Sequence, residues 1–374
     1  MERALARIDL GALRANCERL RAELREARLC AVVKADGYGH GADAVAEAAL
    51  AGGAAGFAVA TAAEARLIGR RLQHMPLLTM GALSATEVDV VLAAGSEVGV
   101  WGEDFRALLA ARARAMGRPA AVHIKFDSGM GRLGTFDPAE VLTLARACEA
   151  DPYLHVAGVW THFATADEPD DDEGYFFEQL DRFEPVAAAM RAEFPDVTVH
   201  AANSAAVFRS ARSHFDMARC GVALYGLDPF QDDPAARGLA PVLSLRSYVA
   251  GVKRFAAGQS AGYGRRWRAP EDTCVGVIPV GYGDGVRRAL SDNCDVLVGG
   301  RRYPLVGTVS MDNLTIDLGP ETEVEPGAEA VLIGRQGSDE IRAEEIAARL
   351  DTINYEVTCG ISSRVPRVPG GPAT

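Results

Sequence analysis

Lysine is almost missing from this sequence. Among 39 basic residues only Lys34, Lys125 and Lys253 are lysines, and every other one is arginine. Where any surface cation suffices the chain uses arginine, so each lysine calls for its own reason. Positive charge is scarce altogether: the formal net charge of −12 leaves no basic face for a phosphate backbone and argues against nucleic-acid binding. Long apolar runs are missing too. The longest uncharged stretch, 48–63, is rich in Ala and Gly and falls short of the ~18 apolar residues of a membrane-spanning helix. The opening MERALARIDL is charged almost at once and lacks the apolar centre of a signal peptide. Seven cysteines, an odd number with no CxxC, fit reduced thiols better than a disulfide framework. These absences predict a soluble cytoplasmic protein without nucleic-acid or membrane partners.

What is present is core-forming material. With 374 residues, 48% of them hydrophobic, the chain can bury enough for two domains. Strand-like runs fall near 30–34, 57–61, 76–80, 97–101, 121–127, 155–162, 197–203 and 219–225. Segments such as ADAVAEAAL and DFRALLAARARAM fill the gaps with apolar residues at three-four spacing. Eight strand–helix units favour a (β/α)8 barrel over an open doubly wound sheet built from the same units. After about Ala240 the runs (PVLSLRSYVAGVKRF, TCVGVIPV, YPLVGTVSM, EAVLIG) are strand-like, and only EEIAARL is clearly helical. The expected α/β architecture is therefore an N-terminal (β/α)8 barrel, 1–235, followed by a mainly β C-terminal domain, 236–374. LDPFQDDPAARG is the connection. The acidic run DEPDDDEG reads as a solvated loop rather than a metal site, and no metal is expected.

In such a barrel chemistry belongs at the C-terminal strand ends. Lys34, in VVKADGYGHG, ends strand one; Arg132, in DSGMGRLG, follows strand five; His162, in THFATAD, ends strand six. Asn203 and Ser204 end strand seven, and Gly221 and Val222 are placed on strand eight just after Arg219. Loops after strands seven and eight commonly bind phosphate. A lysine facing a phosphate cradle suggests pyridoxal phosphate (PLP), because a primary amine condenses with an aldehyde and a guanidinium does not replace it. An isolated strand-end lysine more often caps a carbonyl or pairs with a neighbour such as Asp36; position, scarcity and cradle together favour the cofactor.

The segments VVKADGYGHG, HIKFDSGMGRLG, THFATAD, AANSAA, ARCGVALYG, SAGYGR, GYGDG, VGTVSMD and YEVTCGISSRVPR resemble, in order, the signatures of the alanine racemase family over about residues 5–367. By that resemblance Lys34 carries PLP and is one catalytic base, and Tyr263 is the other: one removes the α-proton, the other returns it on the opposite face. A phenol with an ordinary pKa of ~10 needs help to act as a base near neutrality, and the family's chain from the tyrosine through His162 to Arg219 supplies it. Arg219 matches the residue facing the pyridine nitrogen, where a guanidinium disfavours a second positive charge and restrains side reactions. Tyr38, Ser204, the backbone of Gly221 and Val222, and Tyr355 match phosphate contacts, and Asn203 helps to fix the cofactor. Arg132 with Met311 matches the group holding the substrate carboxylate, with Asp312 nearby. In the family Tyr263, Met311 and Asp312 reach the other subunit's barrel, which implies a homodimer with shared sites.

Alternation in AVHIKFD puts His123, Lys125 and Asp127 on one face, inside the barrel. A buried ammonium near Arg132 is a costly like-charge pair. The resemblance implies that Lys125 is carbamylated, and a simple Lys125–Asp127 pair is the alternative. Gly129, Gly131 and Gly134 form a GxGxxG after strand five, not after the first strand where the dinucleotide fingerprint belongs. Cys220 stands where the family often has proline, and Thr308 where some members have arginine. The implied activity is interconversion of L- and D-alanine, supplying D-alanine for bacterial cell-wall precursors. Racemisation of another small amino acid such as serine, and decarboxylation on the same fold, are the alternatives. The decarboxylases place an acid where Arg219 stands. A PLP-storing barrel would not need the domain carrying Tyr263.

Overall fold

The computed structural model describes residues 2–168 and 174–371. Most of the acidic run, 169–173, lies outside the described residues. The chain forms two compact units: Arg14–Gly37 with Ala42–Leu224, and Met1–Leu13 with Tyr38–Gly41 and Tyr225–Thr374. No helix among the described residues is long and apolar enough to cross a membrane.

Strand β1 (Leu5–Asp9) opens the chain and helix Leu10–Leu24 follows it. The first unit is then a closed parallel barrel of β2 (Arg28–Val32), β3 (Gly56–Val59), β4 (Leu77–Thr79), β5 (Glu97–Val100), β6 (Ala120–Lys125), β7 (Leu154–Trp160), β8 (Thr198–His200) and β9 (Met217–Cys220). β9 closes on β2 with Cys30 opposite Arg219 and Ala31 opposite Cys220. All eight expected strands are present, and several stop earlier than expected. Lys34, His162 and Asn203 lie past the strand ends, and Gly221 and Val222 lie beyond β9 rather than on it. The reason is local. After β2 the backbone enters the left-handed region at Ala35, Asp36, Gly37 and Tyr38 (φ 51, 53, 62 and 54°), and after β9 it tightens into the 3-10 turn Val222–Tyr225.

The surrounding helices follow from caps and periodicity. Ala62–Arg71 starts on a capping box: Thr61 Oγ1 accepts the Glu64 N–H (3.3 Å) and Glu64 Oε2 accepts the Thr61 N–H (3.0 Å). It buries Ala62, Ala65 and Ile68 on one face and ends on Arg70 and Arg71, which suit the helix dipole.

The second unit is mainly β. Its strands are β10 (Leu243–Tyr248), β11 (Gly251–Phe255), β12 (Ser260–Ala261), β13 (Trp267–Arg268), β14 (Thr273–Ile278), β15 (Asp295–Val298), β16 (Arg301–Pro304), β17 (Leu314–Gly319), β18 (Glu329–Gln336), β19 (Asp339–Ile341) and β20 (Arg367–Gly370). The larger sheet runs β16-β15-β18-β10-β1-β20, with β19 on β18, and a smaller sheet runs β11-β14-β17. β1 thus pairs antiparallel with β10 and parallel with β20. Two α-helices join these strands, Ala343–Arg349 over the expected EEIAARL and Asn354–Cys359. The second is six residues long and carries Val357 and Thr358, whose branched side chains give no helical signal.

Candidate active site

Lys34 follows the last residue of β2 by two positions, is half-buried, and enters the left-handed turn. Three non-glycine residues adopt that conformation, each at a cost of roughly 1–2 kcal/mol, so the turn is held by its surroundings. Glu64 Oε1 accepts the Ala35 N–H at 2.7 Å and Asp36 Oδ1 accepts the Ala42 N–H at 2.9 Å. The capping carboxylate of one helix therefore also fixes the backbone next to Lys34.

Across the same barrel end Arg219 is 3% exposed. It donates from NH1 to His200 Nδ1 (2.7 Å) and from the two hydrogens of NH2 to Thr161 O (2.8 Å) and Ala201 O (3.0 Å), one of them shared with His162 Nδ1 (3.3 Å). Burial pulls Arg219 down to about 10, still protonated at neutrality. His162 is pushed well below its ordinary value by burial first, then by the charges of Arg219, Lys125, Arg132 and Lys34. It is a neutral imidazole whose Nδ1 accepts from Arg219, so its hydrogen sits on Nε2.

The loops after β8 and β9 meet at Ser204, which is 3% exposed. Ser204 Oγ accepts the N–H groups of Gly221 (2.9 Å) and Ala223 (3.4 Å), leaving its own hydroxyl hydrogen to donate. Asn203 caps the helix Ser204–Arg209, its Oδ1 accepting the Ala206 N–H at 2.9 Å.

His123, Lys125 and Asp127 are all buried, as the alternation implied. Lys125 is drawn down to about 7, by burial and then by Arg219, against the pull of Asp127. Its Nζ donates to Phe126 O at 3.2 Å and lies 4.5 Å from the Trp160 ring centre. Among the described residues no ion pair joins Lys125 to Asp127. Asp127 is instead wrapped by the glycine loop: Oδ1 accepts the N–H groups of Gly129, Met130 and Gly131 (2.9, 2.7 and 3.1 Å) and Oδ2 that of Arg132 (2.8 Å). Burial raises this carboxyl, but the bonds from Arg132, Gly129 and Gly131 outweigh it and hold it below the usual carboxylate range. The GxGxxG loop does cradle an anion, and the anion is the chain's own. Arg132 is exposed, and its guanidinium makes no ion pair among the described residues.

The other unit holds the remaining candidates. Tyr38 stacks on Tyr225 (4.9 Å between ring centres) and lies 6.0 Å from Tyr355. Tyr263 is 73% exposed and Met311 53%. The Tyr263 carbonyl accepts the Thr308 hydroxyl at 2.8 Å, and Asp312 pairs with Arg364 at 2.7 Å. Residues that sequence reading did not single out include His200, Trp160 and Gln179. Trp160 carries Lys125 and Arg219 over its ring and stacks on His200. Gln179 is fully buried and donates to His162 O (3.2 Å) and accepts from Ala164 N (2.8 Å). A histidine closing the strand run VTVH was the available signal; nothing local marks Gln179.

This arrangement suits a negatively charged, aldehyde-bearing aromatic cofactor. It offers a half-buried primary amine, a serine hydroxyl with a free hydrogen, and a buried guanidinium whose Nε–H has no acceptor among the described residues. Barrel and side chains define the chain as a (β/α)8-barrel enzyme. The alanine racemase N-terminal domain model matches residues 8–229 and the C-terminal domain model residues 242–369. The chain is 42% identical over 367 residues to the alanine racemase of Symbiobacterium thermophilum, covering 98% of this chain and 97% of that protein. It is 40% identical over 366 residues to alanine racemase 1 of Bacillus subtilis, covering 97% and 92%. A crystal structure of alanine racemase from D-cycloserine-producing Streptomyces lavendulae matches with a TM-score of 0.93 at 36% identity, covering 100% of this chain and 98% of that one. The chain belongs to the alanine racemase family.

Proposed function

We propose that this protein interconverts L- and D-alanine with PLP by a two-base mechanism. When bound, PLP supplies an aldehyde carbon that takes up the substrate amine and an electron-accepting ring that acidifies the α-hydrogen. Lys34 would hold the aldehyde carbon through its amine, Arg219 the ring nitrogen, and the Ser204 hydroxyl with the Val222 N–H the phosphate, beside Gly221, whose own N–H goes to Ser204 Oγ. The resemblance adds Tyr38, Tyr355 and Asn203 as further holders of the cofactor, and Arg132, Met311 and Asp312 as neighbours of the substrate carboxylate.

One observation carries the reading: a buried guanidinium donates to a neutral His162 on the barrel end that also presents Lys34. Because Arg219 fixes the His162 hydrogen on Nε2, the imidazole can donate to a phenolate oxygen and lower the cost of ionising a tyrosine. Tyr263 is that tyrosine by family match, returning or removing a proton at its phenol oxygen while Lys34 does so at Nζ. The exposure of Tyr263 and Met311 supports a homodimer in which they complete the site of the other subunit. A cytoplasmic enzyme feeding D-alanine to cell-wall precursors is the role we infer.

A Lys125 amine poised near neutrality supports the family's carbamylation: the uncharged nitrogen adds to carbon dioxide, a proton leaves, and an anion replaces a cation beside two arginines. Native mass measurement with and without bicarbonate is expected to show one added carbon dioxide per chain, absent in Lys125→Met. The reaction itself is tested by following L-alanine and L-serine with purified protein and PLP. Rapid appearance of D-alanine and little D-serine is the expected result. Release of carbon dioxide without racemisation would transfer the chain to the decarboxylase alternative.

A further inference from the structure

Arg219 ends a hydrogen-bonded chain that crosses the barrel core. It donates to His200 Nδ1 (2.7 Å), His200 Nε2 lies 2.7 Å from His123 Nδ1, and His123 Nε2 lies 2.7 Å from Glu97 Oε2. A guanidinium only donates and a carboxylate only accepts. The direction of every bond follows: each imidazole carries its hydrogen on Nε2 and accepts at Nδ1. His200 and His123 are 0% and 3% exposed, whereas the Glu97 side chain is 30% exposed. Glu97 lines a cavity of about 90 Å³ with Arg28, Gly56, Thr198 and Met217, which are the first residues of four other barrel strands. The chain therefore runs from the N-terminal mouth of the barrel to the end that holds Lys34 and His162.

We propose that Glu97, acting through His123 and His200, is a remote positioning residue for Arg219, fixing the orientation and charge of its guanidinium from the opposite mouth of the barrel. This rests on the proposed function in taking Arg219 to face the cofactor ring. Core satisfaction alone would need only neutral partners for two buried imidazoles. Here the terminus is a carboxylate open to water. Burial raises Glu97, and the hydrogen bond from His123 with the positive charge of Arg28 outweighs it, so Glu97 is ionised at neutrality. Burial first, then the charges of Arg219, Lys125 and Arg28, keeps His200 neutral. Other titratable neighbours are Cys30 on β2, beside Arg219, Glu97 and Arg28, and His162 on the Arg219 side. The chain thus polarises in one sense, with an anion at the floor and a cation at the site.

The test is Glu97→Gln in the PLP-loaded enzyme. The amide oxygen still accepts from His123, so the bond remains and the charge goes. A unit charge on the order of 10 Å away, at an effective dielectric of about 20, is worth about one pH unit. The alkaline limb of the kcat profile and the pH titration of the cofactor absorbance are expected to move together to lower pH by about that much, with KM unchanged. Thr79→Val, which breaks the buried Thr79–Ser96 bond (2.8 Å) on the strand beside Glu97, loosens the same region without removing charge and is expected to leave the titration in place. An unmoved titration in folded Glu97→Gln, or an equal shift in Thr79→Val, overturns the proposal. Should Glu97→Gln fail to fold, the unsubstituted protein without cofactor decides by nitrogen-15 NMR of its histidines. Both His123 and His200 are expected as Nε2–H tautomers with slowly exchanging low-field protons, and either one in the other tautomer overturns it. If the unsubstituted protein binds no PLP, the proposed function fails while the NMR measurement still judges the chain.

Discussion

In the barrel unit, Arg219 is 3% exposed and holds four acceptors, Lys125 is 2% exposed, and Asp127 is enclosed by four backbone N–H groups. In the other unit, Tyr263 stands 73% exposed, with its backbone carbonyl tied by Thr308. Met311 beside Asp312 is similarly open. The barrel unit satisfies its polar groups from within its own chain, the kind of preorganisation that electrostatic catalysis requires. The second unit fixes a backbone at Tyr263 and leaves that side chain exposed. Substitutions in the two units are therefore expected to fail differently: barrel changes in charge and stability, and changes at Tyr263 in turnover alone.

The largest effect is expected from Lys34→Ala, which removes the amine that would hold PLP and serve as a base. Loss of one positioned acid–base group is worth about 10²–10⁴-fold, and loss of cofactor attachment adds to it. Absorbance of the purified protein near the visible edge and racemase turnover are both expected to disappear. Tyr263→Phe comes next and sharpens the contrast. The side chain is exposed, so the melting temperature and cofactor absorbance should stay put while turnover falls about 10²-fold or more, most severely from L-alanine. Normal turnover in Tyr263→Phe would remove the second base from the mechanism.

Lys125→Met probes the barrel side through pH. The folded-state value of about 7 lies below the ordinary 10.5, so between those values the unfolded chain holds a proton that the native one does not. Stability of the parent therefore rises with pH across that window, and the penalty is full below about 7, on the order of 5 kcal/mol. In buffer freed of carbon dioxide, denaturant midpoints for Lys125→Met are expected to exceed those of the parent most at pH 6 and to converge towards pH 10. Midpoints that keep a constant offset at every pH would show that Lys125 is not a buried, displaced titrating group.

Much of this was open to sequence reading. Eight strand–helix units pointed to the barrel, and strand-end reasoning singled out Lys34, His162 and Ser204 because barrel geometry brings those positions to one end; the role of Arg219 came only with the family resemblance. The expected strands run too long because apolar residues such as Val33 and Ala201 continue past the last paired residue; they remain buried although the backbone has turned. β1 gave no sign that it belongs with β10 and β20, since nothing in LARID specifies a partner more than two hundred residues away. The glycine loop lies after strand five, not where a nucleotide fingerprint belongs, and the group it wraps, Asp127, became visible only with the backbone N–H directions. His200 and Glu97 were passed over because long-range imidazole chains have no local pattern.

Thr308→Ala is the mildest of these changes and the closest test of how the second unit presents Tyr263. Thr308 is 5% exposed, and its hydroxyl donates to the Tyr263 carbonyl. On the other side of Gly262, a Cβ would fall 2.8 Å from the Thr308 nitrogen, so the two segments pack backbone against backbone. Losing one neutral hydrogen bond costs about 0.5–1.5 kcal/mol, of which only the part that orients Tyr263 reaches the chemistry. A fall in kcat of less than about tenfold is expected, with KM and cofactor absorbance unchanged. Thr308→Ser, which keeps the donor, should restore the rate. If Ser and Ala behave alike, the hydroxyl does not hold the tyrosine, and the order seen around Tyr263 comes from backbone packing at Gly262 alone.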